Sequence, residues 1–169
     1  LGRLVVSSAG GRRETYSRLL ETCPPRLEEA YILSVTGGTG GHSGEDIHRG
    51  RANAVVLLAG LLARLGEKTD YELAQWEGGT GHNAIPAAAR AMVLLPAGGG
   101  TLLEGLAGTL QEDWQREYGQ TDPKLHLTLT PARRPELVWS PACREDTLGL
   151  IDHLLLGVYA AHPWVEGVT

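Results

Sequence analysis

Segments typical of β-strands alternate with segments of helical periodicity, and their order constrains the fold more than any other feature of the sequence. Apolar residues that recur at intervals of three and four predict helices at about residues 44–65 and from about residue 101 to Gly119. Strands are predicted at residues 27–36, 69–77, 85–95 and 124–130. The order strand, helix, strand, strand, helix, strand is that of a ferredoxin-like, split β-α-β fold of the α+β class, with one antiparallel sheet and both helices on one face. We therefore predict a ferredoxin-like core over residues 27–130.

Capping patterns predict where the two helices begin. Ser43 precedes Asp46 by three residues, which is the spacing of a capping box, and Thr101 precedes Glu104 by the same interval. An acidic side chain in the first turn also suits the positive end of the helix dipole. Gly66 is a natural stop for the first helix.

The flanking segments extend this core. A short apolar run at residues 4–6 predicts a strand or the end of one, and a proline-rich stretch at residues 131–141 leads to an extra amphipathic helix predicted at 142–159. With 169 residues, of which 42% are hydrophobic, the chain has enough apolar material for one core, so we expect residues 1–169 to form a single domain. Because the chain begins with Leu1 rather than Met, we expect it to be a fragment of a larger protein.

Composition excludes several classes of function. A formal net charge of -5 argues against a nucleic-acid-binding protein, which needs a basic face. No apolar run approaches the roughly 20 residues that span a membrane, and no signal peptide is recognised. Cys23 and Cys143 stand far apart with no CxxC or CxxH pattern around either. We expect two reduced thiols in a cytosolic protein, and the alternative is a single disulfide.

The densest motif is the sequence GGTGGHSG at residues 37–44. A P-loop would require Gly-Lys-Ser/Thr after the glycines, and a Rossmann fingerprint would require glycine where Ser43 stands. A nucleophile elbow would require glycine where Glu45 stands. What remains is His42, presented by a glycine turn at the predicted start of a helix. An imidazole there can donate a hydrogen bond to a developing oxyanion, and the alternative is a histidine that only hydrogen-bonds within its loop.

A metal site is not predicted in this chain. His48 and His82 could join His42 as ligands, but a step of six residues does not place His42 and His48 on one face of a helix. The nearby acidic residues, Glu45 and Asp46, are explained by the helix start, and the tight ligand spacing of a metal site is missing.

A second glycine-rich motif, GGTGHNAIP, occupies residues 78–86. It is typical of a hairpin turn that leads into a strand. Asn83 is a candidate for binding a ligand, although an asparagine in a turn often hydrogen-bonds only to its own backbone.

Together the two motifs resemble a known family. The stretch GGHSGEDIHRGRANA at residues 40–54 resembles the GGHSG-x-[DE]-IH-x-G-x-x-NA signature of bacterial aminoacyl-histidine dipeptidases, and residues 78–86 resemble their GGT-x-x-NAIP turn. The GGHS part is shared with the wider zinc metallopeptidase clan of carboxypeptidase G, aminoacylases and succinyl-diaminopimelate desuccinylase. The resemblance is close over residues 32–96 and looser over residues 4–11 and 142–169.

The resemblance implies that the chain is the lid, or dimerisation, domain inserted into the catalytic domain of a carnosinase-like Xaa-His dipeptidase. That catalytic domain would hold two divalent metal ions, usually zinc, and a glutamate that acts as general base. No HxD motif of metal ligands occurs in the chain, so we expect it to bind no cofactor and to be inactive alone. The expected partners are its own catalytic domain, a dipeptide substrate and a second copy.

The same resemblance assigns roles to three residues. His42 would reach into the active site, in many relatives across a dimer interface, and bind the polarised carbonyl oxygen or tetrahedral intermediate. Asn83 would bind substrate near its free carboxylate. The family commonly has arginine before this asparagine, whereas this chain has His82, so the carboxylate would be held differently. The alternatives are a free-standing ferredoxin-like dimerisation module without catalysis, and the lid of a related peptidase or deacylase.

Overall fold

The structure, a computed structural model, describes residues 14–154, 156–158, 160 and 163–164. The elements are β1 (Thr22–Cys23), β2 (Glu29–Thr36), a short 3-10 helix (Ile47–Arg49), α1 (Ala54–Lys68), β3 (Glu72–Gly78), β4 (Ala89–Leu95), α2 (Gly99–Tyr118), β5 (His126–Ala132), β6 (Val138–Trp139) and α3 (Pro141–His153). The strand predicted near residues 4–6 lies outside the described residues. Within the described part, no helix has the length and apolar character that crossing a membrane requires.

The predicted fold class is confirmed. Strands β2 to β5 form one antiparallel sheet in the order β3-β4-β2-β5, and α1 and α2 connect them in the order of a split β-α-β unit. Each of the four central strands is found close to its predicted position, with ends that differ by at most four residues. The β2 strand lies between β4 and β5 and is therefore one of the two inner strands of the sheet.

The main core lies between the sheet and the two helices. Along β2, Leu33 and Val35 are fully buried because alternate residues of a strand point to the same face. On α1, Leu58, Leu61 and Leu65 are also fully buried, at the spacing of one helix face. Residues of α2 complete the same cluster. The buried apolar residues of the strands and of both helices therefore pack together in one core.

The predicted start of the first helix at residue 44 is wrong. The helix begins at Ala54, and its N-cap is Asn53, whose side chain accepts hydrogen bonds from the amides of Val55 and Val56. The intervening residues include turns and the 3-10 helix, which ends at Arg49. Gly50 follows with a φ of 62°, a left-handed conformation that a continuous α-helix does not contain. The helix then runs past Gly66 to Lys68.

The start of α2 also differs from its predicted capping box. The helix begins at Gly99, two residues before Thr101, and its N-terminus is capped by a side chain from the sheet. The Glu29 carboxylate accepts hydrogen bonds from the amides of Gly98 at 2.7 Å and Gly100 at 3.1 Å, and these bonds lower its pKa. This cap is tertiary, so no local sequence pattern predicts it.

Two short features flank the core. Strands β1 and β6 pair in a two-stranded antiparallel ladder, which the sequence did not predict, and Val138 of β6 packs with Ala30 and Leu94 of the main sheet. The extra helix α3 ends at His153, before the predicted end at residue 159, and begins after Ser140, whose hydroxyl accepts a hydrogen bond from the Cys143 amide. Of the residues predicted to form its last turn, Val158 lies beyond the helix, and residues 155 and 159 lie outside the described residues.

Candidate functional site

The two glycine-rich motifs lie side by side at one end of the sheet. His42 and Ala84 face each other in an isolated antiparallel bridge. The backbone amide of Ser43 donates a hydrogen bond to the carbonyl oxygen of Asn83 at 2.8 Å. Backbone pairing therefore joins the two motifs, which are about 40 residues apart in the sequence.

His42 is exposed, and its hydrogen bonds define which ring nitrogen carries the proton. The Nδ1 atom accepts a hydrogen bond from the amide of Gly44 at 3.1 Å. In a neutral imidazole, an accepting Nδ1 requires the proton to be on Nε2. Among the described residues, Nε2 makes no hydrogen bond, so the ring offers an N–H donor to a ligand.

Asp46 and Arg51 brace the backbone around His42. The Asp46 carboxylate accepts a hydrogen bond from the His42 amide at 2.9 Å, and Arg51 Nη1 lies 3.4 Å from the same oxygen. Arg51 Nη1 also donates to the carbonyl oxygen of Gly40 at 2.5 Å. The hydrogen bond from His42, followed by the positive charges of Arg51 and Arg49, lowers the pKa of Asp46. Asp46, predicted as part of a helix cap, instead fixes the main chain at the candidate catalytic residue.

Glycine is required where the first motif meets neighbouring backbone. Gly37 has a φ of 77°, and a Cβ there would overlap the carbonyl oxygen of Lys124. Gly41 has a φ of 135°, and a Cβ there would overlap Arg51 Nη1. The glycines therefore allow the turn to pack closely, rather than making it a phosphate-binding loop.

Asp122 is a buried residue of the site that the sequence analysis missed. Its carboxylate accepts hydrogen bonds from the backbone amides of Thr39 at 2.7 Å and Ala52 at 2.9 Å, and from the Thr121 hydroxyl at 2.8 Å. Burial raises the pKa of Asp122, but the hydrogen bonds outweigh it, and the pKa lies below its usual value. A single aspartate in a turn has no pattern that distinguishes it from a surface turn residue.

The second motif presents His82 and Asn83 on the surface next to His42. Both residues are exposed. The turn is closed by a hydrogen bond from the Ala84 amide to the carbonyl oxygen of Gly81 at 3.3 Å. Within the described residues, neither side chain has a hydrogen bond that would engage its polar atoms. The predicted site residues are therefore brought to one exposed edge of the domain.

The described residues contain no group of three or more His, Cys, Asp or Glu side chains placed to hold a metal ion. His48 lies exposed in the 3-10 helix. A groove of about 540 Å³ between α1 and α2 is lined by residues such as Val56 and Trp114, and it includes neither glycine-rich motif. Because His42, His82 and Asn83 are all exposed, the candidate site is an open surface of the described residues.

Comparison with known proteins identifies the family. The sequence profile of the family described as Peptidase dimerisation domain matches residues 33–122, which is more than half of the chain. The chain is 31% identical over 169 residues to the cytosol non-specific dipeptidase of Escherichia coli (strain K12), an alignment that covers 99% of this chain and 35% of that protein. The crystal structure of aminoacylhistidine dipeptidase from Vibrio alginolyticus matches with a TM-score of 0.80 and 29% identity, covering 87% of this chain and 31% of that chain.

This chain spans about a third of the length of the relatives it matches. Both relatives are dipeptidases by description, and the matched residues include the whole first motif and the second motif. The chain belongs to the peptidase dimerisation domain family.

Proposed function

We propose that this chain is the lid and dimerisation domain of a metal-dependent aminoacyl-histidine dipeptidase, an enzyme that cleaves Xaa-His dipeptides such as β-alanyl-histidine. The observation that carries the proposal is the backbone pairing that sets His42 beside Asn83 at an exposed edge. The descriptions of the two relatives, one a dipeptidase and one an aminoacylhistidine dipeptidase, support the substrate class.

His42 acts as the hydrogen-bond donor to the scissile carbonyl. Its Nδ1 is occupied by the Gly44 amide, so Nε2–H is the group that meets the substrate oxygen. When water adds to the carbonyl carbon, that oxygen gains negative charge, and a hydrogen bond to it becomes stronger than it was in the bound substrate. An interaction that strengthens in the transition state raises kcat rather than only lowering KM.

Asn83 binds the substrate, and its amide group donates to the terminal carboxylate of the dipeptide. His82, next to it, stands where arginine is common in the family that this chain resembles. A neutral imidazole offers one N–H donor, whereas a guanidinium carries a positive charge and offers two parallel N–H donors to a carboxylate. His82 therefore holds the carboxylate more weakly than arginine would.

The remaining parts of the site belong to the rest of the enzyme. The described residues offer no metal-ligand set, so we assign the two divalent metal ions, zinc by the resemblance, to a catalytic domain outside this chain. In this proposal residues 1–169 are one inserted domain, inactive alone, whose partners are its own catalytic domain and a second copy. We also propose a cytoplasmic location, which the cytosol dipeptidase relative and the free cysteines support.

Substitution of His42 tests its role in the complete protein. We expect His42→Ala to lower kcat for β-alanyl-histidine by about 10²–10³-fold, the loss typical of one oxyanion donor, while the metal content stays unchanged. His153→Ala is the matched control, because among the described residues this exposed histidine of α3 bonds only to its own helix, through the carbonyl oxygen of Gly149. Full activity of His42→Ala would contradict the assigned role.

A substrate panel separates this proposal from its alternatives. Preference for β-alanyl-histidine over acylated amino acids supports the dipeptidase, and the reverse preference indicates a related deacylase. A complete protein that dimerises but cleaves neither class would be a dimerisation module without catalysis.

A further inference from the structure

Asp122, in the turn between α2 and β5, is a fully buried carboxylate without a cationic partner in the described part of the chain. A buried charge is costly unless hydrogen bonds satisfy it. Here two backbone amides and one hydroxyl supply those bonds, at 2.7–2.9 Å. An apolar residue at this position would avoid the buried charge but would leave the amides of Thr39 and Ala52 without this acceptor.

The two amides that Asp122 binds are the two ends of the loop that carries His42. One carboxylate oxygen accepts from Thr39, and the other accepts from Ala52. The Thr39 hydroxyl adds a second link, because it donates to the carbonyl oxygen of Thr121 at 2.6 Å. Residues 39–52, which we call the His42 loop, are therefore closed at their base by one side chain from a distant turn.

We propose that Asp122 is a positioning residue for His42, which fixes both ends of the His42 loop and thereby sets where the imidazole meets substrate. The inference rests on the proposed function of His42. Asp46 and Arg51 hold the loop from within, whereas Asp122 joins it to the turn between α2 and β5. A displacement of about 1 Å in a group that contacts the transition state costs up to about 100-fold in rate, so a loosened loop is visible in kcat.

Asp122→Asn is the informative variant, since the side chain keeps its size. The amide retains one acceptor oxygen but places an NH2 donor against a backbone N–H, so one end of the His42 loop loses its partner. Thr39→Val is the second variant, because it removes only the hydroxyl link to Thr121 and leaves the carboxylate in place. Thr39→Val therefore still tests the positioning role if Asp122→Asn does not fold.

Glu72→Gln is the matched control. Glu72 is also a buried carboxylate, and it accepts hydrogen bonds from the amides of Arg26 and Leu27 at 3.0–3.1 Å. It lies at the start of β3, at the opposite end of the sheet from His42. The control therefore disturbs a similar buried carboxylate without touching the His42 loop.

The test is a double-mutant cycle in the complete protein, with β-alanyl-histidine as substrate. We expect Asp122→Asn to lower kcat roughly 10- to 100-fold in the wild-type background, and by less than about twofold when His42 is already alanine. Thr39→Val should follow the same pattern with a smaller loss. Glu72→Gln should leave kcat within about twofold of wild type. An equal loss in both backgrounds, or no loss in either, would overturn the positioning role.

Hydrogen exchange distinguishes failure of this inference from failure of the proposed function. In Asp122→Asn, we expect faster exchange at the amides of Thr39, Ala52 or both, and no such change in Glu72→Gln. Unchanged protection at both amides would overturn the restraint on the loop whatever the activity. Full activity of His42→Ala would instead contradict the proposed function, and the exchange result would still decide whether Asp122 holds the loop.

Discussion

At the scale of the residue, Gly37 shows how closely the site end of the sheet is packed. It follows the last residue of β2 with a φ of 77°, and the carbonyl oxygen of Lys124 fills the space where a side chain would begin. Gly105, in α2, is the opposite case, because no neighbouring atom lies within 4 Å of the Cβ position. The same substitution should therefore have opposite effects at these two glycines.

We expect Gly37→Ala to lower the free energy of unfolding by at least about 2 kcal/mol, from a strained backbone and an overlap with rigid main chain. Gly105→Ala should raise it by about 0.5–1 kcal/mol, because alanine stabilises a helix interior relative to glycine. The midpoints of urea unfolding measure both changes. Equal shifts at the two positions would show that the left-handed turn at Gly37 is not required.

Candidate residues of the site were predictable only where they carried a local pattern. His42 and Asn83 stand in glycine-rich motifs, and the structure places both on one exposed edge. Asp122 was missed because its partners, Thr39 and Ala52, are 83 and 70 residues away in the sequence. Hydrogen bonds between residues so far apart in the sequence produce no local periodicity or spacing from which they could be predicted.

At the scale of the element, α1 shows that the spacing of apolar residues can predict a helix start that is too early. Ile47 and Gly50 fit the period of the helix that follows, yet they lie in turns and a 3-10 helix before it. The cap is Asn53, a residue type favoured at helix starts, whereas Ser43 lies eleven residues before the helix.

We expect Asn53→Ala to destabilise the domain by about 1 kcal/mol, the usual loss when an N-cap hydrogen bond is removed. Ser43→Ala, the cap predicted from sequence, should change the stability by less than about 0.5 kcal/mol. Thermal or urea unfolding of the two variants measures the difference. A larger loss in Ser43→Ala than in Asn53→Ala would contradict the helix start at Ala54.

The central strands and helices were predictable because alternation and helical period each extend over several residues. The two-residue strands β1 and β6 were not, since two residues cannot show alternation. The cap of α2 by Glu29 was missed for a different reason, because the carboxylate reaches the helix from β2, about 70 residues earlier.

At the scale of the whole molecule, the candidate site is an exposed surface at one edge of the domain. His42, His82 and Asn83 are exposed, and the described residues hold no metal-ligand set. The family is one of dimerisation domains, and the matched dipeptidases are about three times as long as this chain. In the proposed enzyme, a catalytic domain would cover this edge and exclude water from the substrate, and its metal ions would supply the Lewis-acid chemistry.

The most direct test of this account is the hydrolysis of β-alanyl-histidine by the complete protein, measured before and after treatment with a metal chelator. We expect histidine to be released, the release to stop when the metal is removed, and zinc to restore it, while an acylated amino acid is cleaved more slowly. Cleavage that persists unchanged after metal removal, or no cleavage of the dipeptide by the metal-loaded protein, would contradict the assignment of this chain to a metal-dependent dipeptidase.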